Sequence, residues 1–212
     1  MKTIALFGIT GRTGKPLAEM LLKQGFAIHA LARKAQKVEI KHPNLTIIEG
    51  NVLNKNDIDR TIEGTEAAVS VLGHVRGDNQ NKDMQTVATK HILAAMQKYG
   101  VKRIISLTGG AVPYKHDQPK FIDKAFKVVM GFVAKDVVAD AVAHANVLAA
   151  SATDWTVVRA PRILDTPAKG EYRVGLVGVN ASTTIAYQDL AAFIAKELVD
   201  PQHIHSMPFV SY

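Results

Sequence analysis

The amino-acid sequence predicts an α/β protein, a doubly wound parallel sheet formed by a single domain over residues 1–212, and three observations carry the prediction. Short apolar, strand-like runs alternate with amphipathic stretches from the first residues onward. No linker, repeat or low-complexity run interrupts them. The first apolar run passes directly into a glycine-rich turn that opens a helix. Such alternation favours parallel neighbours, because parallel strands need a crossover connection and a helix supplies it.

The elements follow in order. Thr3–Phe7 is a short apolar run that ends at Gly8 and reads as the first strand. Lys15–Gly25 carries Leu17, Ala18, Leu21 and Leu22 at the spacing of one helical face, with Gly25 as its stop. Ala27–Ala32 and Leu45–Ile48 are the second and third strands, joined by a short polar connection. Asn54–Gly64 is a helix opened by an asparagine cap. Ala67–Leu72 is the fourth strand, Met84–Tyr99 a long helix stopped by Gly100, and Arg103–Thr108 the fifth strand. Beyond these come a helical stretch within Phe121–Ala152, a strand Thr156–Arg159, a hairpin-like segment around Glu171–Val179, a helix Gln188–Val199 and a C-terminal strand His205–Val210. The part from about residue 155 onward is expected to supply a substrate side.

With 47% hydrophobic and 21% charged residues, the composition is that of a folded globular protein and excludes disordered, collagen-like and coiled-coil classes. The chain has no cysteine, which excludes disulfides, cysteine metal sites and thiol nucleophiles and suits a reducing cytoplasm. No stretch approaches the roughly 18 apolar residues of a membrane span. The first residues lack the long apolar region and cleavage site of a signal peptide, so a cytoplasmic protein is expected. The net charge of +7 admits nucleic acid, an anionic cofactor or a solvated surface as its reason, but 6% aromatic residues offer little base stacking. No helix-turn-helix pattern stands out, and no nucleic-acid partner is expected.

Gly8-Ile9-Thr10-Gly11-Arg12-Thr13-Gly14 stands between the first strand and the first helix. Glycines at this spacing permit a tight turn and close backbone approach, and the helix start directs N–H groups and a positive dipole end at a pyrophosphate. This placement makes the sheet Rossmann-like and predicts a dinucleotide. The end of the second strand distinguishes the two nicotinamide dinucleotides, since an acid there accepts from the ribose 2′-OH of NAD whereas arginine suits the 2′-phosphate of NADP. Here the strand ends in Ala32-Arg33-Lys34, with Lys37 and Lys41 following and Glu39 as the first acid. Arg33 and Lys37, with Arg12 in the phosphate-facing turn, point to NADP(H); the alternative is a solvated basic loop.

Across nearly its whole length the chain resembles the atypical short-chain dehydrogenase/reductase group that includes the NADPH-dependent flavin and biliverdin reductases and the NmrA-like proteins. The resemblance is carried by TIALFGITGRTG, ALARKAQKV, EGNVLN, VLGHVRG, RIISLTGGAV and DWTVVRAPRI. It implies Asn51 and Val52 beside the adenine, Leu72 and Gly73 beside the ribose, Thr108 and Gly109 at the nicotinamide, and Pro161, Arg162 and Ile163 over the carboxamide end. The biliverdin reductases carry a serine where this chain has Gly109 and a histidine where it has Arg162, so bilin specificity does not transfer.

The Tyr-x-x-x-Lys pair of classical short-chain dehydrogenases is absent: Tyr99, Tyr114, Tyr172 and Tyr187 are followed four residues on by Arg103, Gln118, Leu176 and Ala191. Reduction of an isolated carbonyl needs a positioned acid, whereas a flavin or quinone delocalises the incoming charge and takes its proton from solvent. The expected function is therefore NADPH-dependent hydride transfer to a flavin, quinone or similar conjugated molecule, with Thr108 and Arg162 as catalytic candidates. An NADP(H)-binding redox sensor without turnover is the alternative.

Other residues have two readings. His203 and His205 alternate as a metal-ligand pair would, but an edge strand explains them more simply. His116 and Asp117 belong to a solvated loop or orient the acceptor. Lys115, Lys120, Lys124, Lys127 and Lys135 fit an exposed helical face better than a nucleic-acid surface. Trp155 reads as packing. The substrate and oligomeric state are not legible.

Overall fold

The computed structural model describes residues 2–74, 82–120 and 134–212. Strands β1 (Thr3–Phe7), β2 (Ala27–Ala32), β3 (Leu45–Glu49), β4 (Ala67–Ser70), β5 (Arg103–Gly109), β6 (Asp154–Ala160), β10 (Phe209–Ser211) and β8 (Arg173–Gly175) form one sheet in the order β3-β2-β1-β4-β5-β6-β10-β8. All neighbours are parallel except β8, which runs antiparallel to β10. A separate parallel pair joins β7 (Arg162–Leu164) to β9 (Thr184–Ala186). The helices are α1 (Gly14–Lys23), α2 (Lys55–Ile62), α3 (Met84–Tyr99), α4 (Lys135–Ala149) and α5 (Tyr187–Val199), and Ala35–Lys37 makes a short 3-10 turn. The fold is the Rossmann-like doubly wound α/β sheet that the sequence predicts.

Strand residues alternate between two apolar cores, one on each sheet face, as the period-2 geometry of strands requires. Ile4, Leu6, Ile28, Ala30, Val69, Ile105 and Val158 share one core with Leu17 and Leu21 of α1 and Leu190 and Ile194 of α5. Ala5, Phe7, Leu31, Ala68, Ile104 and Val157 share the other with Ile58 of α2, Ile92 and Met96 of α3 and Leu148 of α4. Trp155 is buried in this second core, which confirms its reading as packing. Both faces being apolar explains why the strands read as continuous hydrophobic runs.

Local signals set most boundaries. Asn54 caps α2 by accepting from Asn56 N at 2.9 Å, a bond whose loss costs about 1 kcal/mol. Gly100 closes α3 in the left-handed conformation at φ 72°. Two expectations require correction. The C-terminal strand is Phe209–Ser211 and not 205–210, because His205 turns the chain at φ 55°. The segment 171–179 is not a self-paired hairpin: β8 pairs with β10, and only Leu176 and Val179 bridge across a tight turn. The helical stretch expected within 121–152 is realised as α4, while 121–133 lies outside the described residues.

Helices α3 and α4 meet through a polar seam. His144 of α4 is 2% exposed, with Nδ1 2.9 Å from Thr89 Oγ1 and Nε2 3.3 Å from Ser106 Oγ on β5. Burial draws its imidazole from the ordinary 6.5 down to about 4, against the opposing charge of Asp140. The unfolded chain therefore binds a proton between these values that the folded protein rejects. This contribution to stability is complete above the unfolded pKa of about 6.5 and is lost as pH falls toward 4, by on the order of 3 kcal/mol. Urea denaturation at pH 7 and pH 4.5 is expected to show a smaller pH-dependent loss in His144→Gln than in the wild type; equal losses would remove His144 as the cause.

Candidate functional site

Every predicted site segment leaves the sheet at the C-terminal edge of its parallel strands: Gly8 after β1, Arg33 after β2, Asn51 after β3, Leu72 after β4, Gly109 at the end of β5 and Pro161 after β6. In open α/β sheets this edge forms the ligand crevice.

The glycine turn is built by the backbone itself. Gly8 lies at φ 98°, and a Cβ there would stand 2.8 Å from the Val71 carbonyl oxygen. A Cβ on Gly14 would stand 2.0 Å from the Gly8 carbonyl oxygen, whereas on Gly11 it would meet only that oxygen, at 3.1 Å. Gly11 N donates to Gly8 O at 2.9 Å, and Lys15 N to Gly11 O at 3.0 Å, which carries the turn into α1. Gly8 and Gly14 thus serve the protein's own packing, and Gly11 leaves room for a close approach. Thr13, buried at the N-cap, makes no side-chain cap, and the first turn of α1 contains no acid. The positive end of the helix is not neutralised by its own side chains, as an anion site requires. Thr10 and Arg12 are exposed, with the Arg12 guanidinium 5.3 Å from the ring centre of Tyr187 at the start of α5.

At the end of β2, Arg33 and Lys37 are exposed, and neither side chain forms an ion pair or hydrogen bond among the described residues. The nearby acids are engaged. Glu39 pairs with Lys15 of α1, and Glu49 accepts from Ala35 N at 3.0 Å. The local field at this corner is therefore positive.

Asn51 closes the turn after β3: its Oδ1 accepts from Leu53 N at 3.0 Å, and its own N donates to Asp57 Oδ2 at 2.8 Å. That N–H, followed by the Arg60 guanidinium, holds the Asp57 carboxyl below its ordinary range. Val52 is half-buried against the second core. Leu72 is also half-buried, with its carbonyl held by Gln85 Nε2 at 3.0 Å, and Gly73 is exposed.

Register places Thr108 opposite Arg159 and Gly109 opposite Ala160, which brings the end of β5 beside Pro161 and Arg162. Thr108 is 5% exposed, and among the described residues its Oγ1 has no hydrogen-bond partner, an orphaned hydroxyl near the end of β5. Such a group ordinarily finds a partner, and a ligand can supply one. Gly109 is exposed. Arg162 is exposed too; its backbone N donates to Thr183 O at 3.2 Å, while its guanidinium has no partner among the described residues. The glycine turn, the uncapped helix and the orphaned Thr108 hydroxyl together fit a dinucleotide.

The Asp117 side chain is engaged by the protein and not by solvent. It forms a bidentate ion pair with Arg159, at 2.6 and 2.8 Å, and Arg159 is fully buried. Burial pushes the Asp117 carboxyl up, but Arg159 and the N–H groups of Tyr114 and Val177 outweigh it and hold the pKa low. Arg159 also donates to Met207 O and Val112 O. Removing Asp117 would leave a buried guanidinium unpaired, a loss of about 3–5 kcal/mol. The sequence signal for Arg159 was a lone charge inside the apolar run Trp155–Ala160. His116 is exposed and sits edge-on to Tyr114.

His203 and His205 do not share a strand face. His203 Nδ1 lies 2.8 Å from Glu197 Oε2, and His205 Nε2 lies 3.0 Å from Thr153 O. Among the described residues no cluster of three or more ionisable ligands suits a metal. Lys115 and Lys120 lie in a loop and not on a helix, Lys135 begins α4, and Lys124 and Lys127 lie outside the described residues. A groove of about 330 Å³ between Met20 and Gln24 of α1 and Ala195 and Val199 of α5 is at the far end of α1 from the turn. Among the described residues no helix is long and apolar enough to cross a membrane.

Comparison with known proteins bears on the family and the fold. The pattern of the NAD(P)H-binding family matches residues 8–201. A wide-type short-chain dehydrogenase/reductase from Veillonella parvula, solved in complex with NADP, superposes with a TM-score of 0.83 at 17% identity over 100% of this chain and 94% of its own. An oxidoreductase from Lactococcus lactis gives 0.80 at 21% identity over 100% and 90%. A Rossmann-fold NAD(P)-binding family protein from Shigella flexneri gives 0.71 at 20% identity over 100% and 93%.

The three glycines are expected to separate by substitution. Gly14→Ala forces a side chain against a carbonyl and is expected to lower stability in urea denaturation by about 3 kcal/mol or more. Gly11→Ala is expected to stay within about 1 kcal/mol of the wild type while weakening dinucleotide binding in calorimetry. Equal stability losses in the two variants would contradict the division.

Proposed function

The chain belongs to the NAD(P)H-binding family, and from that premise we propose an NADPH-dependent oxidoreductase of the atypical short-chain dehydrogenase/reductase type. Its acceptor is a flavin, a quinone or a similar conjugated small molecule. The observation that carries the reading is the charge at the end of β2: Arg33 and Lys37 have no partners among the described residues, while Glu39 and Glu49 are both engaged. The NADP bound in the Veillonella relative supports the same choice. The chain acts as one domain, with the part after about residue 155 forming the substrate side.

Gly8, Thr10, Gly11, Arg12, Thr13 and Gly14 hold the pyrophosphate, and Arg33 and Lys37 hold the 2′-phosphate. Asn51 and Val52 border the adenine and Leu72 and Gly73 the ribose. Thr108, Gly109, Pro161 and Arg162 surround the nicotinamide. When bound, NADPH supplies a hydride, and the acceptor takes its remaining proton from solvent. Thr108 is placed to donate its unshared hydroxyl hydrogen to a carbonyl of ligand or acceptor. The Arg162 guanidinium, with a pKa above about 12, stays protonated and stabilises negative charge without delivering a proton. The absence of a Tyr-x-x-x-Lys pair suits an acceptor that spreads the incoming charge over its own ring system.

NADPH is expected to bind at least about tenfold more tightly than NADH, since one charge-assisted phosphate contact supplies that ratio, and Arg33→Asp is expected to abolish the difference. Equal dissociation constants for the two cofactors in the wild type would refute the assignment. NADPH oxidation measured across a panel of flavins and quinones tests the activity. NADPH binding with no turnover of any acceptor would instead identify a redox sensor.

Arg162→Met is expected to slow acceptor reduction by about tenfold or more, leaving the NADPH dissociation constant within about threefold. Wild-type turnover of every acceptor in this variant would place Arg162 outside the acceptor pocket.

A further inference from the structure

Asp140 of α4 is 4% exposed. A buried carboxylate persists only where hydrogen bonds replace its water. Here they come from Gln85 N at 2.8 Å, Thr86 N at 2.9 Å, Thr86 Oγ1 at 2.5 Å and His74 Nε2 at 2.8 Å. Asp83, the N-cap residue of α3, makes no side-chain cap. The free N–H groups of the first turn of α3 are instead bound by Asp140, supplied across the helix pair by α4.

This cap fixes more than a helix end. His74 closes the stretch Val71–His74 that leaves β4 at the crevice edge, so Asp140 anchors one end of it. Gln85, whose backbone Asp140 holds, anchors the middle by donating from Nε2 to Leu72 O at 3.0 Å. Between these anchors, among the described residues nothing lies within 4 Å of where a Cβ on Gly73 would be. The stretch is therefore suspended from the first turn of α3, and Asp140 sets its height.

We infer that Asp140 is a positioning residue for the nicotinamide half of the dinucleotide, acting through His74 and Gln85 on Leu72 and Gly73. The inference rests on the cofactor reading above and takes the ribose those two residues border as the nicotinamide one, because β4 lies beside β5, whose end carries Thr108 and Gly109.

Two probes measured by calorimetry separate the halves of the site: NADPH, and adenosine 2′,5′-bisphosphate, which has the adenine and 2′-phosphate end but no nicotinamide. In Asp140→Asn the NADPH dissociation constant is expected to rise about tenfold, as loss of a charged anchor implies, while adenosine 2′,5′-bisphosphate stays within about twofold. His74→Ala and Gln85→Ala are expected to move NADPH alone in the same direction. If Asp140→Asn does not fold, His74→Ala, which leaves α3 capped, decides by the same comparison. Unchanged NADPH affinity, or equal weakening of both probes, overturns the inference. A wild-type protein that binds neither probe would instead remove the cofactor reading on which it rests.

Discussion

Helix α1 begins where it does because Gly14 has no side chain: a Cβ would stand 2.0 Å from the carbonyl oxygen of Gly8. That contact presses the helix start onto the end of β1 and folds residues 8–14 into a turn whose remaining glycine, Gly11, is comparatively open. It also directs the uncapped end of α1 at the crevice, and it seats Leu17 and Leu21 in the core shared with α5. The anion-binding character of the edge follows from a packing constraint, with the dipole and the orphan N–H groups as its electrostatic result.

The loops that complete the crevice are held largely by buried carboxylates. Asp117 joins the loop after β5 to Arg159 and to Val177 N. Asp189 of α5 accepts from Lys169 N, Gly170 N and the Tyr212 hydroxyl, which gathers the C-terminal segments around one group. At the opposite, N-terminal edge of the strands, Glu197 receives Arg103, His203 and the backbone N of Gln202. Asp140 does the same for the β4 loop and α3. Buried pairs of this kind contribute little net stability relative to apolar packing, but breaking one strands a charge. They suit places where a loop must adopt one position, such as a ligand crevice. On the proposed reading they keep Thr108 and Arg162 at a fixed separation from the phosphate end.

What was legible in the sequence is what is encoded within a few residues. The bounds of β1, β2 and α3 match their sequence expectation because apolar periodicity and a glycine stop act locally. The asparagine cap of α2 and the glycine turn are equally local, and so is the basic end of β2. Chain alternation makes neighbouring strands parallel, whereas their order, with β3 and β4 on opposite sides of β2 and β1, is set in the tertiary structure. The sequence by itself therefore determined the alternation that builds the sheet and the glycine turn at its edge.

The tertiary structure decided which polar groups meet. Arg159 and Asp117 are 42 residues apart, and His74 and Asp140 are 66 apart. No periodic or capping signal links such positions, so in sequence Asp117 has the look of a loop residue and Asp140 carries no local signal at all. His203 and His205 looked like strand alternation until the positive φ of His205 broke it. The physical reason is common to these cases. A hydrogen-bonding side chain is equally at home in water or opposite a buried partner, and only the packing of distant elements, by excluding the water, selects the partner.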